Sequence, residues 1–307
     1  MIYKVAIIGY GYWGPKLARN IQNSNEFQID YIVDTSKKNL INAKKSFPLS
    51  RFLNDYKKLD TSKIDLVVIS TPTITHYKLA AHFLKYSNIL IEKPLALNNH
   101  DVKKLERISK KSKNKLFVDY PFIFSGSIRL INNIIRKKKY GKLLEIESFR
   151  EQAPIRKDSD VVWDLGVHDI SILRFLLKSN PIKIKSIKYN TVKTKQKDTA
   201  YINLNYKNNL KVFIKNSWIS PVKIRIMKFK FEKGIVICDE NEPIYKLKVF
   251  TRKNNKTMIY KLELPEIDLS EPLFNLIEYV AKSMKTNSNL IFKKNFNIDI
   301  TRVLEKI

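Results

Sequence analysis

Cysteine is almost absent from this 307-residue chain, which contains a single one, Cys238. One cysteine excludes an internal disulfide, and disulfide-rich secreted scaffolds are excluded with it. The sequence also lacks any uninterrupted apolar run that approaches the ~20 residues of a membrane-spanning helix. The first predicted strand begins within a few residues of Met1, which leaves no room for a signal peptide. We therefore expect a cytoplasmic protein with no membrane span.

Acidic residues are scarce as well, since 29 Asp and Glu stand against 58 Lys and Arg, a formal net charge of +29. Such an excess suggests nucleic-acid binding, but proteins that bind nucleic acid cluster their basic residues. Here the basic residues are scattered, and the densest run, Arg136 to Lys139, ends a predicted helix, where cations complement the helix dipole. We predict a lysine-rich surface and no nucleic-acid partner. A basic nucleic-acid-binding protein is the less favoured alternative.

Glycine is rare, yet three of the seven glycines fall within six positions, at Gly9, Gly11 and Gly14. An apolar strand precedes them and a helix follows, which is typical of a dinucleotide-binding turn with the phosphates on the helix N-terminus. The next predicted strand, Gln28 to Val33, leads to Asp34, about 20 residues beyond the last glycine, where a ribose-binding carboxylate is expected. An ordinary glycine-containing strand–helix turn is the alternative interpretation.

The same stretch predicts the cofactor. The charge of Asp34 would bind two ribose hydroxyls and repel a 2′-phosphate, so we expect NAD to be preferred. Lys37 and Lys38 follow closely in the sequence, and for that reason NADP is not excluded. Tyr12 and Trp13 lie inside the glycine turn and are expected to contact the cofactor.

The remaining pattern divides the chain into two predicted domains. Up to residue 120, apolar strands without alternation are separated by helices, which predicts a doubly wound parallel sheet, the Rossmann fold. Residues 121–307 read as helices, then consecutive strands with hairpin signals, then two helices, which predicts an α+β domain with a large, mostly antiparallel open sheet. Apolar residues alternate along three of its strands, which predicts an exposed apolar face and a homodimer or homotetramer built on it: Ile202, Leu204, Val212, Ile214, Ile224 and Ile226.

Further polar residues follow buried strands of the first predicted domain, at the edge where open α/β sheets bind ligands. They are Thr71, Pro72 and His76 after one strand, and Glu92 and Lys93 after the next. A lysine that closes a buried strand is costly unless its ammonium points into a polar cleft, so Lys93 is a site candidate. The structural alternative is a strand-end lysine whose side chain reaches water. We expect these residues to line the cofactor site.

Asp164 and His168 are the candidate pair in the second predicted domain. They are spaced i, i+4 at the start of the predicted helix Val162 to Leu177, so both side chains lie on one face. A carboxylate beside an imidazole orients it for acid–base catalysis. The alternative is a helix-initiating aspartate with an unrelated histidine. One Asp and one His are too few ligands for a metal, and we predict no metal site.

Together these motifs resemble the Gfo/Idh/MocA family of sugar oxidoreductases. The resemblance is carried by the glycine turn, by Glu92-Lys93-Pro94 and above all by the stretch from Val161 to Leu173. The segments Trp218 to Arg225 and Glu271 to Leu273 are similar to a branch found with nucleotide-sugar and surface-polysaccharide biosynthesis.

The resemblance implies hydride transfer between a nicotinamide and a secondary alcohol or ketone of a sugar or nucleotide sugar. It implies Lys93 and His168 as polar catalytic groups that also bind the substrate, with Asp164 assisting. It also implies assembly through the outer face of the second sheet. The rival hypothesis is a regulatory protein that binds the nucleotide and has lost catalysis.

The chain departs from the family pattern after the strand that ends at Asp119. Similar sequences often carry histidine and threonine there, and a tyrosine shortly beyond, where this chain has Tyr120, Pro121 and Phe124. We expect Tyr120 either to supply a hydroxyl to the substrate or to be a half-buried aromatic residue at the domain junction. Arg150, at the end of the predicted strand that starts at Leu143, completes the expected substrate-binding residues.

Overall fold

The computed structural model describes residues 2–155, 159–193, 195–252, 259–286, 288, 291–292 and 295–307. The chain divides into two compact units, Met1–Pro121 with Glu271–Thr301, and Phe122–Ser270 with Arg302–Ile307. The predicted second domain, 121–307, had included the segment Glu271–Thr301, which instead belongs to the first unit. Residues 156–158 of the predicted polar loop 151–160 lie outside the described residues.

The first unit alternates strands and helices up to residue 119. The elements are β1 (Tyr3–Ile8), α1 (Gly14–Gln22), β2 (Phe27–Val33), α2 (Lys37–Ser46), β3 (Arg51–Leu53), β4 (Leu66–Ile69), α3 (His76–Phe83), β5 (Asn88–Glu92), α4 (Asn99–Ser112) and β6 (Leu116–Asp119). All six strands are parallel, in the order β3-β2-β1-β4-β5-β6, which confirms the predicted doubly wound sheet. The order reverses between β1 and β4, the position at which such sheets bind ligands.

The second unit is built on an eight-stranded sheet. Its elements are α5 (Gly126–Arg136), β7 (Leu143–Glu151), a π-helical turn (Val162–Gly166), α6 (Val167–Leu177), β8 (Lys183–Tyr189), β9 (Thr199–Asn205), β10 (Lys211–Ser217), β11 (Ile224–Phe231), β12 (Gly234–Asp239), β13 (Leu247–Arg252) and β14 (Tyr260–Glu263). The strand order is β14-β13-β12-β11-β7-β10-β9-β8, and all pairs except β7 with β10 are antiparallel. The mostly antiparallel sheet is thus confirmed. The four-residue strand β14 was not predicted, and the predicted single helix begins with the π-helical turn.

The two faces of this sheet differ from the prediction. Four of the six alternating apolar residues are buried in the core of the unit: Ile202, Leu204, Val212 and Ile214. They lie on the inner face, whose neighbours in register are also buried. Ile226 lies on the opposite, outer face of the sheet, where it pairs with Phe149. The alternation therefore marks mainly the core, and a different set of residues forms the exposed surface.

Two further helices, α7 (Pro272–Lys285) and α8 (Phe296–Leu304), follow the second sheet in the chain. The segment that carries α7 joins the first unit through α1, where Arg19 Nη2 lies 2.7 Å from Glu271 Oε1 and Ser24 Oγ donates to Glu278 Oε1 at 2.6 Å. At 14 residues, α4 and α7 are the longest helices described. In the described part of the chain no helix combines the length and the apolar character needed to cross a membrane.

Candidate functional site

The turn between β1 and α1 has the backbone that the glycine motif predicts. Gly9 adopts a φ of +94°, a conformation that favours glycine. A Cβ on Gly14 would lie 2.4 Å from the Gly9 carbonyl oxygen, so glycine allows α1 to begin this close to the strand. Apart from its two chain neighbours, no described residue has an atom within 4 Å of a Cβ built on Gly11. The Trp13 side chain at the N-cap makes no capping hydrogen bond to α1.

The two aromatic residues of the turn hold a cation. The Lys16 ammonium lies 3.9 Å from the Tyr12 ring centroid and 4.2 Å from that of Trp13, within the range of a cation–π contact. Lys16 was not singled out from the sequence. Its position in the first turn of α1 adds a positive charge beside the glycine turn.

The Asp34 carboxylate at the end of β2 is held by three N–H donors. Its Oδ2 accepts hydrogen bonds from the Tyr10 backbone N–H at 2.6 Å and from Asn39 Nδ2 at 3.1 Å. Its Oδ1 accepts from the Ser36 backbone N–H at 2.7 Å. Asp34 therefore connects β2 to the glycine turn and to the start of α2.

A cleft of about 840 Å³ lies at the carboxyl ends of these strands, within the size range of small-molecule sites. Its polar lining combines the glycine turn, the end of β2 and the loops after β3 and β4, and includes Gly9, Gly11, Asp34, Ser36, Asn39, Asn54, Asp55, Ser70, Thr71, Thr75 and Lys78. Pro72 lines it as well. The open glycine turn, the helix N-terminus and the oriented carboxylate fit the phosphates and ribose of a dinucleotide.

His76 does not line this cleft. Its side chain is fully buried, with Nδ1 2.8 Å from the Pro94 carbonyl oxygen and Nε2 2.9 Å from the Thr71 carbonyl oxygen. The first turn of α3 directs this side chain inward between two loops, and its predicted contact with the cofactor stays a prediction. His76 instead ties the loop after β4 to the turn after β5.

The turn after β5 carries Lys93, which is 7% exposed and whose peptide bond to Pro94 is cis. Glu92 lies opposite Asp119 in the register of β5 with β6. Asp119 is buried, and burial raises its pKa to about 7 although the Lys93 charge acts in the opposite direction. A buried carboxyl thus accompanies the candidate catalytic lysine, and the sequence analysis did not single it out.

Tyr120 is a core residue of the first unit, and its predicted contact with the substrate stays a prediction. It is 1% exposed, and its ring packs 6.3 Å from that of Phe292 and 6.1 Å from that of Phe296. Burial raises the pKa of its hydroxyl, and the nearby Glu106 charge adds to the effect. Both aromatic partners come from the C-terminal segment, which was expected in the other domain.

In the second unit, the π-helical turn positions Asp164. Asp160 Oδ1 accepts the Val162 and Trp163 N–H groups at 3.0 and 3.1 Å, which starts the turn. Asp164 is buried, and its Oδ2 accepts a hydrogen bond from Trp218 Nε1 at 3.0 Å. Trp218 follows β10 and is 1% exposed. Irregular π-helical turns are frequent at functional sites, and here the turn sets a carboxylate against an indole N–H.

His168, in the first turn of α6, packs against Phe122. The two rings meet edge to face, with centroids 4.9 Å apart. The guanidinium of Arg150 lies 4.5 Å from the Phe122 centroid and that of Arg225 lies 5.2 Å from it. Phe122 therefore gives His168 a fixed apolar support, and no sequence motif marked it.

Arg150 is buried, in contrast to its predicted role as a substrate ligand. Its Nε donates to Asp169 Oδ1 at 3.0 Å, and the same carboxylate accepts from Ser148 Oγ at 2.9 Å and from Asn216 Nδ2 at 2.8 Å. A Cβ on Gly166 would lie 2.7 Å from Asn216 Oδ1, so glycine lets the π-helical turn approach β10. These buried polar contacts join α6 to β7 and β10. Asp169, which makes them, directly follows His168 in the sequence.

These features define a protein with a dinucleotide-type cleft in one unit and an Asp–His helix in the other. Comparison with known families agrees with that class. Residues 3–120 match the oxidoreductase family with an NAD-binding Rossmann fold, and residues 128–237 match the GFO/IDH/MocA C-terminal domain. The chain therefore belongs to the Gfo/Idh/MocA family, as its motifs indicated.

Sequence relatives include named dehydrogenases. Myo-inositol 2-dehydrogenase of Thermotoga maritima is 25% identical over 183 residues, which cover 57% of this chain and 54% of the relative. UDP-N-acetylglucosamine 3-dehydrogenase of Acidithiobacillus ferrooxidans is 27% identical over 151 residues, 47% of this chain and 46% of the relative. The chain thus spans about half the length of these relatives.

Solved structures share the fold over the whole chain. The structure of the Acidithiobacillus ferrooxidans enzyme superposes with a TM-score of 0.87 at 18% identity, covering 100% of this chain and 97% of that one. An oxidoreductase from Agrobacterium radiobacter, solved with NAD+, L-tartaric acid and magnesium, gives a TM-score of 0.86 at 16% identity and covers 99% and 95% of the two chains. At these identities the likeness establishes the fold.

Proposed function

We propose that this protein is a nicotinamide-dependent oxidoreductase that transfers hydride to or from a secondary alcohol or ketone of a sugar or nucleotide sugar. The observation that carries the proposal is the cleft at the glycine turn, where the oriented Asp34 carboxylate lies together with Gly9 and Gly11 at the ends of adjacent parallel strands. Relatives named as inositol and UDP-N-acetylglucosamine dehydrogenases support the substrate class.

The cleft favours NAD over NADP. When bound, the nicotinamide supplies the hydride acceptor or donor. Asp34 and Asp55 both line the cleft, so a 2′-phosphate would meet two carboxylates. The exposed Lys37 and Lys38 are not part of the lining, whereas Lys78 is. Ribose hydroxyls donate to Asp34 without this repulsion, and we propose NAD as the cofactor.

Acid–base chemistry is assigned to the second unit. Removal of hydride from a carbinol carbon requires that the hydroxyl proton leaves, and an imidazole can hold that proton near neutral pH. We assign this proton to His168, whose ring is supported by Phe122. Asp164 orients the substrate or the imidazole, and Trp218 fixes its carboxylate. Lys93 stabilises the negative charge that develops on the substrate oxygen.

Turnover with a panel of candidate substrates tests the proposal. The purified protein is incubated with NAD+ and UDP- and dTDP-sugars, myo-inositol or glucose 6-phosphate, and the absorbance of reduced nicotinamide is followed. The matched control is His168→Ala on the same panel. We expect turnover with at least one sugar and loss of it in the control. Dinucleotide binding without turnover on any substrate, in either direction, would favour the regulatory alternative.

We also propose a symmetric homodimer or homotetramer assembled on the outer face of the eight-stranded sheet. That face exposes large apolar side chains, including Ile187 at 69%, Tyr201 at 47% and Phe213 at 39%, around a hollow of about 530 Å³. Exposed apolar surface of this kind usually marks an interface. Sedimentation at micromolar concentration should show an oligomer, and Phe213→Lys should shift it towards monomer. A monomeric native protein would contradict this assembly.

A further inference from the structure

Asn39 lines the cleft, and no sequence motif identified it. It lies three residues after Ser36, the N-cap of α2, and its backbone N–H donates to Ser36 Oγ at 3.3 Å. Its side-chain amide turns back, and Nδ2 donates to Asp34 Oδ2 at 3.1 Å. Asn39 also lines the cleft together with Asp34. The amide is thus in contact with the carboxylate and next to the space that the carboxylate faces.

The three donors to Asp34 differ in kind. Two are backbone N–H groups, of Tyr10 and Ser36, which almost any residue would supply. The third, Asn39 Nδ2, is a side chain, so it depends on the residue type. Asn39 shares Oδ2 with Tyr10, and Ser36 holds Oδ1. Asn39 therefore adds a second donor to Oδ2, so that three of about four lone-pair sites of the carboxylate are occupied and the remaining site, on Oδ1, keeps one direction.

A fixed direction matters for discrimination between cofactors. A ribose hydroxyl needs the free site of the carboxylate in a defined direction, because hydrogen bonds weaken steeply when misaligned. A 2′-phosphate is repelled by a carboxylate that cannot turn away, and less by one that can. The orientation of Asp34 therefore affects NAD and NADP in opposite directions.

We propose that Asn39 is a specificity-determining residue, whose amide fixes the Asp34 carboxylate for the adenosine ribose and so increases the preference for NAD+ over NADP+. The inference rests on the proposed function only in assuming that the cleft binds a nicotinamide dinucleotide. Asn39 acts chiefly through Asp34, and its contribution is distinct from the charge of Asp34 itself.

Calorimetric titration of the substrate-free protein with NAD+ and with NADP+ tests this. Asn39→Leu keeps the approximate size of the side chain and removes its hydrogen bonds. We expect its affinity for NAD+ to fall about 3- to 10-fold, the effect of one hydrogen bond, while affinity for NADP+ changes less than about twofold or rises. The matched control is Asn42→Leu, the same change at an exposed position of α2, which should leave both affinities unchanged.

A double-mutant cycle shows whether Asn39 acts through Asp34. In the Asp34→Asn background, Asn39→Leu should no longer alter the ratio of the two affinities. Thermal unfolding of each apo variant checks that the fold is intact, and Asn39→Ser replaces the leucine variant if that variant unfolds. A hydroxyl there is too short to take the place of the amide, so the same loss is expected.

The outcomes separate this inference from the proposed function. If native protein binds neither dinucleotide, the proposed function and the role of Asn39 are both overturned. If native protein binds NAD+ and Asn39→Leu keeps the native ratio of affinities, the role of Asn39 is overturned while the proposed function stands. An undiminished effect in the Asp34→Asn background would overturn the route through Asp34.

Discussion

The two units build their candidate sites from different materials. In the first unit the cleft depends on backbone, with Gly9 in a left-handed conformation, Gly14 packed on a carbonyl oxygen and two N–H groups on Asp34. In the second unit the site depends on buried side chains, with Trp218 on Asp164 and Phe122 against His168. The site in the first unit can be recognised in the sequence from the spacing of its glycines, whereas the site in the second unit joins residues far apart in the chain.

This difference has a consequence for mutation. A backbone-built site is damaged mainly by substitutions that move the chain, such as those at the glycines. A site held by side chains is damaged by loss of a single hydrogen bond or ring contact, with the fold retained. Substitutions at the glycine turn and at the side chains of the second site should therefore separate cofactor binding from turnover.

The largest effect is expected at the proposed catalytic residues. Lys93→Ala and His168→Ala should each fold, bind NAD+ with nearly unchanged affinity and turn over at least ~100-fold more slowly, the usual loss for an acid–base group. Steady-state kinetics on a substrate found by the panel, with calorimetry for NAD+, measures both quantities. Near-normal turnover in His168→Ala would remove it from the mechanism and move the base to Lys93, since Tyr120 is buried.

The glycine turn offers a matched pair. Gly11→Ala should leave the melting temperature unchanged, because its Cβ meets no atom, yet weaken NAD+ binding about tenfold or more by occupying the path of the phosphates. Gly14→Ala should lower both the melting temperature and the affinity for NAD+, because its Cβ would lie 2.4 Å from a backbone oxygen. Steric strain of this kind costs about 1–3 kcal/mol. Unaltered NAD+ affinity in Gly11→Ala would show that the phosphates do not pass there.

The variant Trp218→Phe tests whether the site in the second unit depends on a single side-chain hydrogen bond. The change keeps an aromatic ring and removes the N–H that holds Asp164, so we expect turnover to fall about tenfold with NAD+ affinity retained. Combined with Asp164→Asn, the two losses should be less than additive, since the residues act as one unit. If the double variant loses turnover by the product of the two single losses, Trp218 acts independently of Asp164.

The smallest expected effect is on stability, at Asp119. Its pKa of about 7 in the folded protein lies above the unfolded value near 4, so the folded protein binds more protons between these limits. Its contribution to stability is fully present below about pH 4 and is lost as the pH rises through 7. Asp119→Asn removes this loss and should raise the melting temperature relative to the native protein more at pH 8 than at pH 5. Equal differences at both pH values would contradict the raised pKa.

Burial could not be predicted from sequence order. Tyr120 and His76 follow strands whose ends are expected to bind ligands, but both side chains are buried. The alternation of Ile202 and Ile214 was correctly strand-like, but it marked the inner face. Periodicity shows that one face is apolar, and only the packed partners show which face is covered.

Local periodicity and short motifs were sufficient to predict the parallel sheet, the glycine turn, the mostly antiparallel second sheet and the family. That α7 joins the first unit and that Trp218 holds Asp164 became visible only in the folded chain. The indole and its carboxylate are 54 residues apart, and helix α7 reaches α1 across some 250 residues. Contacts over such separations arise from packing of whole elements, and the residues that make them carry no local signal of their partners.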